Sequence, residues 1–153
     1  MPTLVLMRHA HASPGSDDRA RRLDPRGREE AASVRRWLLA ERLSPDRVLV
    51  SEAARTQQTW ELASVGSVAA VVDERLYEAS VEDLRGVVAS TAPSVATLVL
   101  VCHNPAVERL AWELDDRPAA RELTDRGMGP GCVAVVFLDG WDSLHGRLIG
   151  FEG

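Results

Sequence analysis

Two stretches constrain this chain more than anything else in it: Thr3 to His9 reads TLVLMRH, and Thr97 to His103 reads TLVLVCH. A strand with one wet face alternates apolar and polar residues. A run that is apolar throughout belongs to a parallel strand covered on both faces. Parallel neighbours in turn require crossover connections, normally helical and right-handed. The sequence supplies the pieces in alternation. Strands are predicted at about Thr3 to Arg8, Arg47 to Ser51, Ser67 to Val72, Thr97 to Cys102 and Cys132 to Leu138, with an edge strand at Arg147 to Phe151. The predicted fold class is α/β, a three-layer sandwich around a mostly parallel central sheet.

Helix signals fall between the strands. Asp24-Pro25 places a capping carboxylate before a first-turn proline, and Ala31, Val34 and Leu38 then share a face, which predicts a helix to about Arg42. Ser80 with Asp83 has the form of a capping box ahead of Leu84, Val87 and Val88. Asn104-Pro105 is read as the cap of a helix directly after the second quoted strand. No linker or low-complexity segment interrupts the order, so residues 1–153 are read as one domain, a length that buries a core without disulfides or metals. No apolar run approaches the ~20 residues of a membrane span. With no export signal visible before the first strand, a cytoplasmic location is expected, with Cys102 and Cys132 as free thiols.

Charge narrows the partners. A net charge of -5 argues against nucleic acid, whose binders display clustered positive charge. All 18 basic residues are arginine, which removes the Schiff-base and P-loop lysines from consideration.

Ligands of open α/β sheets bind outside the carboxyl ends of the strands, and His9 and His103 stand at two such ends. Arg8 adjoins the first, and Arg55 in SEAAR opens the helix after the next strand. Two guanidinium forks and a helix N-terminus suit a phosphoryl group. A neutral imidazole, with an ordinary pKa of about 6.5, is a competent nucleophile near neutrality. One histidine is then free to attack while the other holds charge.

These same residues carry a family resemblance. LVLMRHAHAS resembles the Arg-His signature of the histidine phosphatase superfamily, which includes the phosphoglycerate mutases; in its short form the chain most resembles the SixA-type phosphohistidine phosphatases. RRLDPRGREEA, VSEAARTQQT, RLYEA and VCHNPAV are similar to successive segments of that group, over about residues 3 to 113. The resemblance implies the phosphoglycerate mutase-like fold without a cap domain, since a strand, a helix and a second strand consume most of the chain between Arg55 and Cys102. It implies that His9 is the phosphorylated nucleophile, that Arg8, Arg55 and His103 bind and stabilise the transferring group, and that no metal or cofactor takes part. Ala10 replaces a frequent glycine and Glu52 a frequent proline. Glu78 stands where larger relatives keep a general acid. Arg22, with Arg19 and Arg21 in the loop Ser13 to Asp24, flanks the expected site as a substrate-binding residue. The expected function is that of a phosphatase using a phosphohistidine intermediate on a phosphorylated protein side chain such as phosphohistidine.

Other readings of the same residues are a small-molecule phosphomonoesterase of the same mechanism and a phosphate-binding module without turnover. His9-Ala10-His11 also has the form of an HxH metal site, although the chain is too short for the ~250-residue barrels that use it. Cys102 suggests a cysteine phosphatase, but Arg109 lies one position too far along for that motif. His11 and His145 have no role assigned by their sequence context, and the oligomeric state is left open.

Overall fold

The computed structural model describes residues 2–116, 126–143 and 145–152. Their order is β1 (Thr3–Arg8), α1 (Pro25–Ala40), β2 (Arg47–Val50), α2 (Ala54–Ala63), β3 (Ala70–Val72), α3 (Val81–Ala89), β4 (Thr97–Cys102), α4 (Ala106–Leu114), β5 (Val133–Leu138) and β6 (Gly146–Glu152), with 3-10 turns at Asp18–Ala20 and Glu74–Leu76. The strands form one sheet in the order β3-β2-β4-β1-β5-β6. The sheet is mixed: β3, β2, β4 and β1 pair in parallel, whereas β5 and β6 join antiparallel. No helix among the described residues is long and apolar enough to cross a membrane.

The doubly apolar strands are explained by what covers them. Leu4 and Leu6 of β1 and Leu98 and Leu100 of β4 face α3 and α4, in a core with Leu84, Val88, Val107 and Leu110. Their alternate residues, Val5, Met7, Val99 and Val101, face α1 and α2 against Val34, Leu38 and Trp60. The sheet is thus the middle of three layers. Adjacent strands β1 and β4 send their following helices to opposite faces, which opens a crevice at their carboxyl ends.

Local differences from the sequence reading have local causes. Helix α1 stops at Ala40 because Arg42 takes a left-handed backbone at φ 56°. Strand β3 is three exposed residues, an outer edge with β2 as its partner. Ser80 and Asp83 form the expected capping box and Asp24 Oδ1 accepts from Gly27 N. Asn104 does not cap α4. Pro105 occupies that position without a side-chain bond, and the Asn104 amide is drawn away to donate to the Met128 carbonyl at 2.8 Å.

Gly27 locks the loop after β1 onto α1, because a Cβ placed there would stand 2.0 Å from the His11 carbonyl oxygen. Gly27→Ala should therefore destabilise the protein by about 1–3 kcal/mol, as overpacking does. Helix propensity alone favours the alanine by ~1 kcal/mol, so a urea midpoint that rises instead of falling would contradict the close approach.

Candidate active site

The β1–β4 register sets Arg8 opposite Cys102, so the next residues on each strand, His9 and His103, emerge side by side. The His9 amide donates to the Cys102 carbonyl at 3.1 Å, and the two imidazoles lie 5.3 Å apart, tilted by 55°. From the other flank, Gly131 in a left-handed conformation donates its N–H to the carbonyls of Arg8 and His9 at 3.2 and 3.0 Å. The Ala10 amide is bonded to Thr59 Oγ1 at 3.0 Å. Backbone contacts on both sides therefore hold the segment that carries His9.

His9 Nδ1 lies 2.8 Å from its neighbour's carbonyl, Ala10 O. A carbonyl only accepts, so Nδ1 carries the proton and Nε2 keeps its lone pair. Burial, reinforced by the charges of Arg55, Arg8 and Arg21, lowers the His9 pKa to about 4, which keeps the ring neutral near pH 7.

His103 has the opposite tautomer. Arg55 Nη2 can only donate and sits 3.3 Å from His103 Nδ1, so Nδ1 accepts and Nε2 carries the hydrogen. That hydrogen points to Ser51 Oγ at 2.6 Å. Ser51 in turn donates to Thr56 Oγ1 at 2.8 Å, and Thr56 bonds the carbonyls of Ser51 and Ala53. A directed chain of hydroxyls, buried at the start of α2, thus fixes the ring. Burial, then the proximity of His9 and Arg55, lowers the His103 pKa to about 3.

The two arginines are partly committed. Arg8 Nη1 donates to the Met128 carbonyl at 3.0 Å, in a loop whose Met128 amide is bonded by Glu108. Arg55, 6% exposed, donates from Nη1 to the Asp18 carbonyl at 2.8 Å and from Nη2 to Asp18 Oδ2 at 3.1 Å. Among the described residues, the buried side-chain atoms without a hydrogen-bond partner are Arg8 Nε, Arg55 Nε, Asn104 Oδ1 and Arg85 Nε. Folded interiors satisfy nearly all such groups, so the two on the arginines that flank the histidines, Arg8 Nε and Arg55 Nε, point to a place for a ligand. The two Nε–H donors suit an anion with several oxygens.

Asp18 closes the front of the site. Its carboxylate also accepts from Arg21 Nη1 at 3.1 Å and makes a short bond with the Tyr77 hydroxyl. That bond, with those of Arg21 and Arg55, holds Asp18 well below the ordinary carboxylate range. The same bond raises the Tyr77 phenol. Arg19 lies over the Tyr77 ring at 4.3 Å and is tied to Glu52 at 3.0 Å, and the Tyr77 ring meets His103 edge-on.

The structure therefore brings together Arg8, His9, Arg55 and His103. Arg22 is exposed on the loop, its carbonyl accepting from Ser13, while Arg21 is the loop arginine whose charge reaches His9. Glu78 is exposed one residue past Tyr77, with a left-handed backbone at φ 56°. His11 is bound by Glu30, Nδ1 to Oε2 at 2.6 Å, and so ties the loop to α1. His145 precedes β6, at the opposite end of the sheet. Burial pushes the Cys102 thiol up to about 12, which leaves no thiolate to attack, and Arg109 pairs with Glu113 on α4. Sequence reasoning missed Asp18 and Tyr77 as site residues, and the seating role of Ser51 and Thr56. For Ser51, Thr56 and Tyr77 the available signal was their place in the SEAARTQQT and RLYEA segments; Asp18, in the loop Ser13 to Asp24, belongs to neither.

Known proteins resemble the chain over this whole frame. A family model described as the histidine phosphatase superfamily (branch 1) matches residues 4–126. An uncharacterised protein of Mycobacterium tuberculosis is 30% identical over 156 residues, covering 95% of this chain and 98% of its own. A structure from Nakamurella multipartitia, provisionally assigned as a phosphohistidine phosphatase SixA, superposes with a TM-score of 0.90 at 29% identity, covering 99% of this chain and 95% of the other. The protein histidine phosphatase SixA complexed with tungstate gives 0.81 at 26% identity, covering 99% and 96%.

Both histidines carry depressed pKa values, so the unfolded chain, with values near 6.5, binds protons that the folded chain refuses. Their contribution to stability is full above about pH 6.5 and is lost as pH falls towards 4, at no more than ~1.4 kcal/mol per pH unit for each proton. The urea midpoint should accordingly fall over that window, and fall less in His9→Gln. Equal slopes in the two proteins would mean that His9 is not held neutral by the fold.

Proposed function

The chain belongs to the histidine phosphatase superfamily and is a phosphatase; from that premise we propose that it removes the phosphoryl group from a phosphorylated protein side chain, phosphohistidine above all, through a covalent intermediate on His9. The observation that carries the reading is the pairing of a neutral imidazole, its Nε2 lone pair free, with two arginine Nε–H groups that no atom of the described residues satisfies.

In the first step His9 Nε2 attacks phosphorus, a P–N bond forms, and the bond to the leaving atom breaks with its electron pair on the leaving group. The phosphorylated ring keeps its Nδ1 hydrogen on the Ala10 carbonyl, which stabilises the positive charge gained there. Arg8 and Arg55 donate to the phosphoryl oxygens, where charge spreads in the transition state and fixed donors contribute most of the acceleration, and His103, its Nε2–H held by Ser51, acts by receiving Arg55 at Nδ1 and so setting that guanidinium against the phosphoryl group. Water then attacks phosphorus, phosphate leaves, and Nε2 recovers its lone pair. We assign no metal to either step.

The form of the site favours a substrate carried on another protein. Its front is a loop tip, Asp18–Ala20, in which no residue is buried, rather than an enclosing domain. We count Arg22, exposed on this loop, among the groups that meet the carrier protein. That the similar protein histidine phosphatase SixA is complexed with tungstate, a tetrahedral oxyanion like phosphate, supports phosphoryl binding by this fold.

Quenching the enzyme during turnover of labelled substrate should leave acid-labile, base-stable phosphate on His9, and His9→Ala should abolish turnover. Label on a serine or on Cys102 would overturn the mechanism. Arg8→Ala, Arg55→Ala and His103→Ala should each lower kcat by roughly 10²-fold or more, without adding, because they act on one group.

Glu78, at the rim beyond Tyr77, is the acid we assign to esters. An alkoxide leaving group needs a proton, a contribution of typically 10²- to 10⁴-fold, whereas imidazole does not. Glu78→Gln should slow an alkyl phosphate far more than phosphohistidine. An unchanged ratio of kcat/KM values would remove Glu78 from that role.

A further inference from the structure

Asp18 is a site residue with a lone pair to spare and a position at the mouth. Its carboxylate is about half exposed, whereas the Arg55 side chain beneath it is 8% exposed. Of the roughly four lone-pair positions of a carboxylate, three are used, by Arg21, Arg55 and Tyr77. The Arg55 nitrogen it holds at 3.1 Å is the one that stands 3.3 Å from His103 Nδ1, so the carboxylate borders the seat of the phosphoryl group. Even with its three donors, an anion beside that seat works against a phosphate dianion. Such a group needs a purpose that offsets this cost.

We infer that Asp18 recognises the leaving group, accepting a hydrogen bond from the far ring nitrogen of a phosphorylated imidazole and so selecting phosphohistidine over phosphate esters. The inference rests on the function proposed above and deepens it. In phosphohistidine the second nitrogen lies within the same five-membered ring as the phosphorylated one, close enough to the phosphoryl seat to meet an acceptor at its mouth. Serine, threonine and aryl esters carry no N–H there. When the P–N bond breaks, its electron pair stays on the departing nitrogen. The far N–H remains in place on Asp18, and the ring leaves as neutral imidazole, with no proton supplied by the enzyme.

The surroundings fit an acceptor and not an acid. Three donors, from the loop, from α2 and from the segment after β3, keep the carboxylate ionised, so it has no proton to give. The remaining charged or titratable groups that face it are His103 at the end of β4, which Asp18 influences electrostatically, and Arg19, stacked on Tyr77 and tied to Glu52. Glu78 acts on Tyr77 and Arg19 from the same rim. Arg19 and Glu52 brace Tyr77 from behind, which fixes the orientation of Asp18 in turn.

The test is Asp18→Asn, which keeps the shape and removes the charge. Both substrates will lose something through Arg55, so the readout is the ratio of kcat/KM for a phosphohistidine peptide to that for an aryl phosphate. That ratio should fall roughly tenfold or more, the scale of one hydrogen bond to a charged group. The alkaline limb of the phosphohistidine profile should also move to lower pH, because a nearby anion favours the protonated ring and its loss does the reverse. Equal losses on both substrates with an unmoved limb would leave Asp18 as a support for Arg55 and overturn the inference. A wild-type enzyme that turns over aryl phosphate and not phosphohistidine would instead remove the substrate reading, and this inference with it.

Discussion

The pairing of β1 with β4 governs the rest of the molecule. Both strands are buried on two faces, so a one-residue slip would carry Val5, Met7, Leu4 and Leu6 each to the wrong layer. The register that the two cores impose, Arg8 opposite Cys102, delivers two imidazoles side by side at the carboxyl ends of the two central strands. Because α1 and α4 leave in opposite directions from these neighbouring strands, a crevice opens at the strand ends where the histidines stand. The crevice is a consequence of topology, and the hydrophobic packing that stabilises the fold also sets the geometry of the chemistry.

On that frame a second, polar layer sets protonation. Hydrogen-bond direction alone settles it: a carbonyl at His9 Nδ1 and a guanidinium at His103 Nδ1 force opposite tautomers on the two rings. Ser51 and Thr56 extend the second assignment into α2, and Asp18 extends the Arg55 contact to Tyr77 and Arg21. Desolvation keeps both rings neutral beside two arginines. The site therefore combines an imidazole that is not protonated with cations that cannot lose their charge, a combination suited to phosphoryl transfer.

Much of this is legible in the residues themselves. Apolar runs on both faces announce parallel strands, and a strand end followed by His, or a helix entry containing Arg, locates functional groups by topology. Asp24-Pro25 and Ser80 with Asp83 announce helix starts through local hydrogen bonds, which depend on neighbours in sequence. What escapes is whatever depends on contacts between distant segments. Asp18 and Tyr77 are 59 positions apart, and nothing local to either announces a shared hydrogen bond. Asn104-Pro105 has the composition of a cap, yet the Asn104 amide finds a better acceptor in Met128, 24 residues on. Composition also points to the loop 13–24 as arginine-rich without telling which arginine turns inward, since Arg21 and Arg22 differ only in the backbone they inherit.

The central claim is that His9 stands ready as a neutral imidazole with its hydrogen on Nδ1, while His103 carries its hydrogen on Nε2. Nitrogen-15 NMR of the histidine side chains at pH 7 reads both protonation and tautomer directly. The account predicts a neutral His9 with a protonated Nδ1 and an unprotonated Nε2, and the reverse pattern at His103. A His9 that is cationic at pH 7, or that carries its hydrogen on Nε2, would contradict it.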